Sequence, residues 1–209
     1  MDILLYIAVA VGAYLIGSFS SAIIISSNVE KKDIRDYGSG NAGATNMLRT
    51  FGWLHGVGTF LLDVGKGVLA AWLGQVVAGE IGMHIAALFV VIGHNWPAYY
   101  GLRGGKGIAT MFGAFLFMYP LMALCVVAAV VLLIAVTRIV SLSSLLGVTI
   151  AVAAVIAMDP KNLPQVINYA AFWVLAMVRH AGNIGRLLKG EERKLSFGSR
   201  KKKPEEKAQ

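Results

Sequence analysis

A glycine-rich segment with several polar side chains lies early in the chain, at residues 38–49. It reads GSGNAGATNMLR and ends in an arginine. Glycine frees the backbone to present N–H groups to an anion, and an arginine fork binds phosphate through two hydrogen bonds. We interpret the segment as a phosphate cradle; the alternative is a flexible tight turn between helices. Its candidate residues are Ser39, Gly40, Asn41, Gly43, Asn46 and Arg49.

The same segment contains a literal G-x-G-x-x-G at Gly38, Gly40 and Gly43. This spacing binds a dinucleotide only where it follows a strand and opens a helix within a βαβ unit. No strand is predicted ahead of it, and the chain shows no alternation of strands and helices. A dinucleotide-binding fold is therefore excluded.

A second glycine-rich segment, GLRGGKG at 101–107, follows a GHNWP run that carries His94. A nucleotide-binding P-loop needs a further glycine and a Ser or Thr after the lysine, and the sequence lacks both, so ATP binding is rejected. Glycines around a lysine just before a helix still predict a backbone nest for an anion. The residues of this nest are Gly104, Gly105, Lys106 and Gly107. His94 is either a structural histidine or a donor to a charged substrate.

The third polar segment is RHAGNIGR at 179–186. At 100° per residue, Arg179, Asn183 and Arg186 lie along one stripe of a helix, and His180 borders that stripe. A basic stripe at a membrane surface is commonly an anchor, but two anion-binding loops on the same side favour binding or catalysis. His180 and Asn183 are therefore candidate site residues.

Two further groups are predicted to face the same region. Asp63 and Lys66 stand three residues apart inside a predicted span, and charges at membrane depth are costly. We expect them to form an ion pair facing a polar chamber, with direct substrate contact as the alternative. Ser144 lies near the start of a later span, where it either caps the helix or faces the site.

The composition predicts what kind of elements position these segments. Of 209 residues, 57% are apolar and 14% are charged, the net charge is +8, and the mean hydropathy is +0.68. Such a chain has lipid as its main solvent, which excludes a disordered protein. The single cysteine, Cys125, provides neither a disulfide framework nor a cysteine-based metal cluster, and we expect no metal and no cofactor.

Apolar runs predict an all-α polytopic membrane protein with seven transmembrane helices. The predicted spans are 3–27, 54–78, 83–100, 108–119, 121–137, 142–158 and 165–182. Basic short loops stay cytoplasmic, and seven spans place nearly all loop Lys and Arg residues on one side. The N-terminus is then outside and the C-terminus cytoplasmic. Residues 1–190 form one membrane-embedded domain, and residues 191–209 a basic tail that we expect to be disordered.

Three runs of the chain closely resemble the motifs of the bacterial acyl-phosphate:glycerol-3-phosphate acyltransferase family. These runs are GSGNAGATNMLR at 38–49, GHNWP with GGKG at 93–107, and RHAGNIGR at 179–186. The runs LDVGKG at 62–67 and RIVSLSS at 138–144 also resemble that family. The resemblance extends in order along the chain to about residue 192.

The resemblance implies an inner-membrane enzyme with a cytoplasmic active site. It would transfer a fatty acyl group from acyl phosphate to the 1-hydroxyl of glycerol 3-phosphate, giving lysophosphatidic acid and phosphate. Its partners would be these substrates and membrane lipid, without nucleic acid, acyl carrier protein or coenzyme A. Residues implied to hold the acyl-phosphate head are Ser39, Gly104, Gly105 and Gly107. Residues implied to position glycerol 3-phosphate are Arg49, Lys106, His180, Asn183 and Ser144.

Acyl transfer from an acyl phosphate requires few catalytic groups from the protein. The donor is an activated anhydride, so positioning and neutralisation of the leaving phosphate can carry much of the catalysis. No nucleophilic Ser or Cys elbow is visible, which disfavours a covalent acyl-enzyme. The general base is His94, His180 or, as the resemblance suggests, the phosphate of the donor itself.

The alternative from another class is a transporter or flippase for an organic phosphate, because intramembrane charges and anion sites would also serve transport. We find no internal repeat and no matching basic cluster on the outer side. A lipid phosphatase is a third reading, but acidic or metal-ligand clusters are missing from the motifs.

Overall fold

The computed structural model describes residues 3–195, and its regular structure is helical. The helices are α1 (Ile3–Ser18), α2 (Ser21–Val29), α3 (Ala44–Phe51), α4 (Trp53–Asn95), α5 (Ile108–Met118), α6 (Pro120–Thr137), α7 (Val140–Met158), α8 (Leu163–Arg179) and α9 (Ala181–Leu188). No strand occurs within residues 3–195. The prediction of an all-α protein is confirmed.

Long apolar stretches make up most of these helices. Those long and apolar enough to cross a membrane are Ile3–Val29, Trp53–Tyr100, Pro120–Thr137 and Val140–Met158. On the outside of the bundle, large side chains such as Ile3, Leu121 and Val136 are exposed. Such a surface needs lipid as its solvent. The prediction of apolar membrane helices is confirmed, whereas the count of seven crossings stays a prediction.

The long helix α4 consists of two halves that fold back on each other. The backbone leaves the helical region at Ala78 and Gly79, where the φ of Gly79 is 65° and favours glycine. A side chain at Gly74 would collide with the carbonyl oxygen of Gly82. Residues eight apart in a straight helix are about 12 Å apart, so this contact requires a hairpin. Two separate helical segments were predicted for this part of the chain.

The first predicted span, 3–27, is not one helix, because the chain leaves the helical conformation between α1 and α2. The ammonium group of Lys66 donates hydrogen bonds to the carbonyl oxygens of Gly17 at 3.3 Å and Phe19 at 3.0 Å. Carbonyl groups freed within a membrane helix need such a partner. The break is therefore stabilised by a charge on α4, which lies 47 residues from Phe19 in sequence.

Glycines let the helices that carry the site approach each other at backbone distance. Gly17 of α1 faces the backbone of Val90, and Gly113 of α5 faces the backbone of Val64. Small residues at such crossings are typical of packing between membrane helices. The polar groups near the ends of α1, α4 and α5 are consequently held in fixed mutual positions.

Gly17→Ala tests the importance of this close approach. The added methyl group would meet the Val90 backbone, whereas Gly12 on the same helix has open space around it. We expect Gly17→Ala to destabilise the detergent-solubilised protein by about 1–3 kcal/mol and Gly12→Ala to leave its stability unchanged. Thermal unfolding measures both variants. Equal unfolding temperatures for the two variants would contradict the packing described here.

Candidate functional site

A cavity of about 800 Å³ brings the three polar segments of the sequence together. Its polar lining comes mostly from loops and helix ends, and its apolar lining from within α4, α5, α6, α7 and α8. The predicted site residues that line it are Ser39, Gly40, Asn41, Gly43, Asn46, Arg49, His94, Gly104, Lys106, Gly107, Ser144, His180 and Asn183. Gly105 is the predicted residue that does not line it.

Asn46 shapes the first glycine-rich loop from inside. Its side chain is 2% exposed, and its Oδ1 accepts a hydrogen bond from the backbone N–H of Ser39 at 2.9 Å. Its Nδ2 lies 3.0 Å from the carbonyl oxygen of Tyr37 and 3.1 Å from that of Asn41. Asn46 was predicted to bind substrate, but its amide is already committed to the loop, so we assign it to positioning the loop.

The second glycine-rich loop differs from the predicted anion nest. The backbone N–H of Gly104 donates to the carbonyl oxygen of Asn95 at 3.3 Å. The backbone N–H of Gly105 donates to the backbone carbonyl oxygen of His94 at 3.1 Å. The two N–H groups are therefore not offered to an anion, and the nest prediction is wrong for them. The guanidinium of Arg179 donates to the carbonyl oxygens of Gly105 at 2.7 Å and Gly104 at 3.2 Å, which fastens the loop to α8.

Lys106 is the member of this loop whose charge faces the cavity. Its ammonium donates a hydrogen bond to Oδ1 of Asn183. Burial lowers the pKa of Lys106 to about 8, against the opposing effect of the nearby Glu192 carboxylate. Gly107 follows with a φ of 81° and is the N-cap residue of α5. Lys106 thus carries a positive charge at neutral pH, close to the pH at which it loses that charge.

The predicted ion pair between Asp63 and Lys66 is confirmed. Lys66 Nζ lies 2.8 Å from Asp63 Oδ1, which also accepts a hydrogen bond from Ser21 at 3.0 Å. Lys66 Nζ also lies 2.8 Å from Nδ1 of His94. Nδ1 also lies 3.5 Å from Asp63 Oδ1. The shorter contact is with the ammonium group, which can only donate, so Nδ1 accepts and the proton of a neutral His94 ring is on Nε2. His94 is therefore a hydrogen-bond donor on its Nε2 side.

His180 has the opposite arrangement of its ring nitrogens. It lies between α8 and α9 with 3% of its surface exposed, and its Nδ1 is 2.8 Å from the carbonyl oxygen of Ala176. A carbonyl only accepts, so Nδ1 carries the proton and Nε2 keeps a lone pair. Of the two histidines in the cavity lining, His180 is the one whose Nε2 keeps a lone pair as a hydrogen-bond acceptor.

Glu192 is a cavity residue that sequence reasoning missed. Its carboxylate accepts hydrogen bonds from Asn183 Nδ2 at 2.6 Å, Arg186 Nε at 2.9 Å and Ser141 Oγ at 3.0 Å. Burial disfavours its charge, but these bonds outweigh burial and hold its pKa below the ordinary value. It lies in the segment assigned to the tail, whose residues 196–209 are outside the described residues.

The apolar part of the cavity reaches the outer surface of the bundle. Phe115, Tyr169 and Phe172 line its interior, where Tyr169 and Phe172 are buried. Val131 of α6 lines the same cavity and is 57% exposed. The cavity therefore joins a cationic region at the loops to an apolar region that opens on a lipid-facing helix. Within residues 3–195, no group of three or more His, Cys, Asp or Glu side chains is arranged to hold a metal ion.

Comparison with known proteins gives a consistent match over almost the whole chain. A family model described as glycerol-3-phosphate acyltransferase matches residues 7–190. The glycerol-3-phosphate acyltransferase of Clostridioides difficile (strain 630) is 42% identical over 201 residues, covering 93% of this chain and 98% of that protein. That of Thermoanaerobacter pseudethanolicus is 44% identical over 188 residues, covering 89% and 93%.

Two solved structures have the same fold. Both are of PlsY, an integral membrane glycerol 3-phosphate acyltransferase, and both are 30% identical to this chain and cover 91% of it. The glycerol 3-phosphate form superposes with a TM-score of 0.86 and the lysophosphatidic acid form with 0.83. Apart from Glu192, Arg193 and Leu195, the cavity lies within the residues that the family model matches.

Proposed function

The chain belongs to the glycerol-3-phosphate acyltransferase family of integral membrane enzymes, and we propose that its acyl donor is acyl phosphate. The product would be 1-acylated lysophosphatidic acid, with release of phosphate. The observation that carries this proposal is the cavity itself. Its cationic region suits the phosphates of both substrates, and its apolar region, open at Val131, suits an acyl chain that enters from lipid.

We propose that the cationic region binds the two phosphates at different places. The acyl phosphate head lies against Ser39 and its glycine-rich loop, which Asn46 keeps in shape. Glycerol 3-phosphate lies against Arg49, Lys106 and Asn183, with Ser144 in the adjoining wall of the cavity. Gly104 and Gly105 act through the shape of their loop, since their N–H groups bind backbone carbonyls.

The transfer needs no covalent intermediate on the protein. The 1-hydroxyl oxygen attacks the acyl carbonyl carbon, the bond from that carbon to the phosphate oxygen breaks, and phosphate leaves with both electrons. Cationic side chains neutralise the leaving charge. The hydroxyl proton goes to the departing phosphate or to Nε2 of His180, while His94 offers an N–H from its Nε2 side.

The donor assignment is tested with purified protein. Acyl phosphate and glycerol 3-phosphate together should yield lysophosphatidic acid and inorganic phosphate in equal amounts, followed in one assay. Acyl-coenzyme A and acyl-acyl carrier protein should each give less than about one hundredth of that rate, equivalent to about 3 kcal/mol of discrimination. Efficient transfer from either thioester would overturn the proposal.

The charge of Lys106 predicts an alkaline limit to activity. Because the pKa of Lys106 is lowered to about 8, the ammonium form that binds phosphate disappears as pH rises through that value. We expect kcat/KM for glycerol 3-phosphate to fall about tenfold for each pH unit well above 8. Lys106→Arg keeps its charge, so any activity it retains should not show this limit. The same alkaline limb in both proteins would assign it to another group.

We propose that the protein lies in the cytoplasmic membrane with seven crossings, the N-terminus outside and the site facing the cytoplasm. The positive-inside distribution supports this orientation, because Lys31, Lys32, Arg103 and Arg138 share the side of the cavity loops and Lys161 lies on the other. We retain residues 1–190 as one membrane domain within this proposal.

Single cysteines test the orientation. After Cys125→Ala, Lys32→Cys and Lys161→Cys each create one exposed thiol. An impermeant maleimide applied to intact cells, with the outer membrane permeabilised where there is one, should label only the protein with Lys161→Cys. The protein with Lys32→Cys should react once the cytoplasmic membrane is opened. Labelling of both in intact cells would contradict the seven-span arrangement.

A further inference from the structure

The apolar end of the cavity stops at one level on the four helices that surround it, here called the cavity floor. The lining residues farthest from the polar loops are Phe115 of α5, Val126 of α6, Val152 of α7 and Tyr169 of α8. In the part of the chain that the structure describes, none of these helices lines the cavity beyond that level. We propose that Tyr169 at this floor determines which acyl chain lengths the enzyme prefers. The inference rests on the proposed function, in which the apolar part of the cavity holds the acyl chain.

Aromatic rings close the floor. Tyr169 is 1% exposed, and its ring centroid lies 5.9 Å from that of Phe115 and 5.6 Å from that of Phe172. Its hydroxyl donates a hydrogen bond to Sδ of Met118 at 3.3 Å. Edge-to-face rings packed at the density of a protein interior move aside only at the cost of strain. The floor is therefore rigid on the scale of a methylene group.

A hydrogen-bonded layer lies beneath the floor. Gln165, one turn of α8 beyond Tyr169, is 3% exposed and donates from Nε2 to the carbonyl oxygen of Val155 at 3.0 Å. Its Oε1 accepts a hydrogen bond from the Tyr119 hydroxyl, between α5 and α6. An acyl chain that passed Tyr169 would break these bonds and leave buried polar groups unpaired. A chain consequently cannot continue along the bundle beyond the floor.

The depth of the cavity follows from the helical rise. Tyr169 precedes His180 by eleven residues and Phe115 follows Gly107 by eight, which correspond to about 16 Å and about 12 Å. Carbon–carbon bonds of about 1.5 Å advance an extended hydrocarbon chain by about 1.3 Å per carbon. An acyl chain of roughly 9 to 12 carbons therefore reaches the floor.

A longer chain has to bend. The exposed Val131 lies five residues from Val126 along α6, about 7.5 Å nearer the polar loops, and a long tail can leave there into lipid. Lipid is as apolar as the cavity wall, so burying more methylenes adds little attraction. Selection by length then depends on steric fit, and a bulky ring at the floor disfavours long chains.

A pair of acyl phosphates tests this assignment with purified protein. Octanoyl phosphate ends above the floor and stearoyl phosphate extends beyond it. In Tyr169→Ala, the ratio of kcat/KM for stearoyl over octanoyl phosphate should rise about tenfold, the lower end of what one methylene is worth in an apolar pocket. The octanoyl rate reports within the same protein whether the variant is folded.

Two controls separate the volume of the ring from other effects. Tyr169→Phe removes the hydrogen bond to Met118 but keeps the ring, so the ratio should stay at the wild-type value. Val174→Ala, on the lipid-exposed side of α8, should change neither the ratio nor the rates. A raised ratio in Tyr169→Phe would assign the effect to the hydrogen bond and would overturn the role of the ring.

A variant of opposite sign keeps the test decisive if Tyr169→Ala fails to fold. Val126→Phe adds bulk at the floor from α6, so the stearoyl to octanoyl ratio should fall about tenfold. An unchanged ratio in the folded variants would show that the chain leaves at Val131 without reaching the floor, and the proposal would be wrong. If acyl phosphate proves not to be the donor, octanoyl- and stearoyl-coenzyme A give the same comparison, so the two failures are separate results.

Discussion

The ion pair between Asp63 and Lys66 is the interaction on which the arrangement of the site depends. It is buried, and an uncompensated charge at such a position would be strongly destabilising. Its remaining hydrogen bonds are made by Ser21 of α2, by the carbonyls at the end of α1, and by His94. The pair therefore stabilises the break between α1 and α2 and at the same time fixes which ring nitrogen of His94 faces Lys66.

Around this pair, the cavity loops are fixed by side chains that do not themselves face a ligand. Asn46 satisfies carbonyl groups of the first loop, and Arg179 satisfies those of the second. Turn-rich loops would otherwise leave polar backbone groups without partners near lipid. Because these bonds are internal, the N–H groups of Ser39, Gly104 and Gly105 are used within the protein, and the charge of Lys106 is left to face the cavity.

Much of this was predictable from the sequence, because apolar runs fix where helices lie and clustered glycines and cations mark the loops. The features that the sequence did not predict depend on contacts between residues that are not neighbours in the chain. The carbonyls that take the N–H groups of Gly104 and Gly105 carry no sequence signal, and neither does the break opposite Lys66. Glu192 stands in a charged segment without periodicity, where contacts with the bundle leave no pattern to read.

Glu192, which the sequence did not indicate as a site residue, lies beside several positive charges of the cavity. Arg49, Lys106 and Arg186 are close enough for each arginine to depress the pKa of Lys106, so an empty site holds several like charges partly withdrawn from water. Such a cluster is stable only when an anion neutralises it. Glu192 supplies one such charge from within the chain, and its hydrogen bonds to Ser141, Asn183 and Arg186 tie the residues after α9 to α7 and α9.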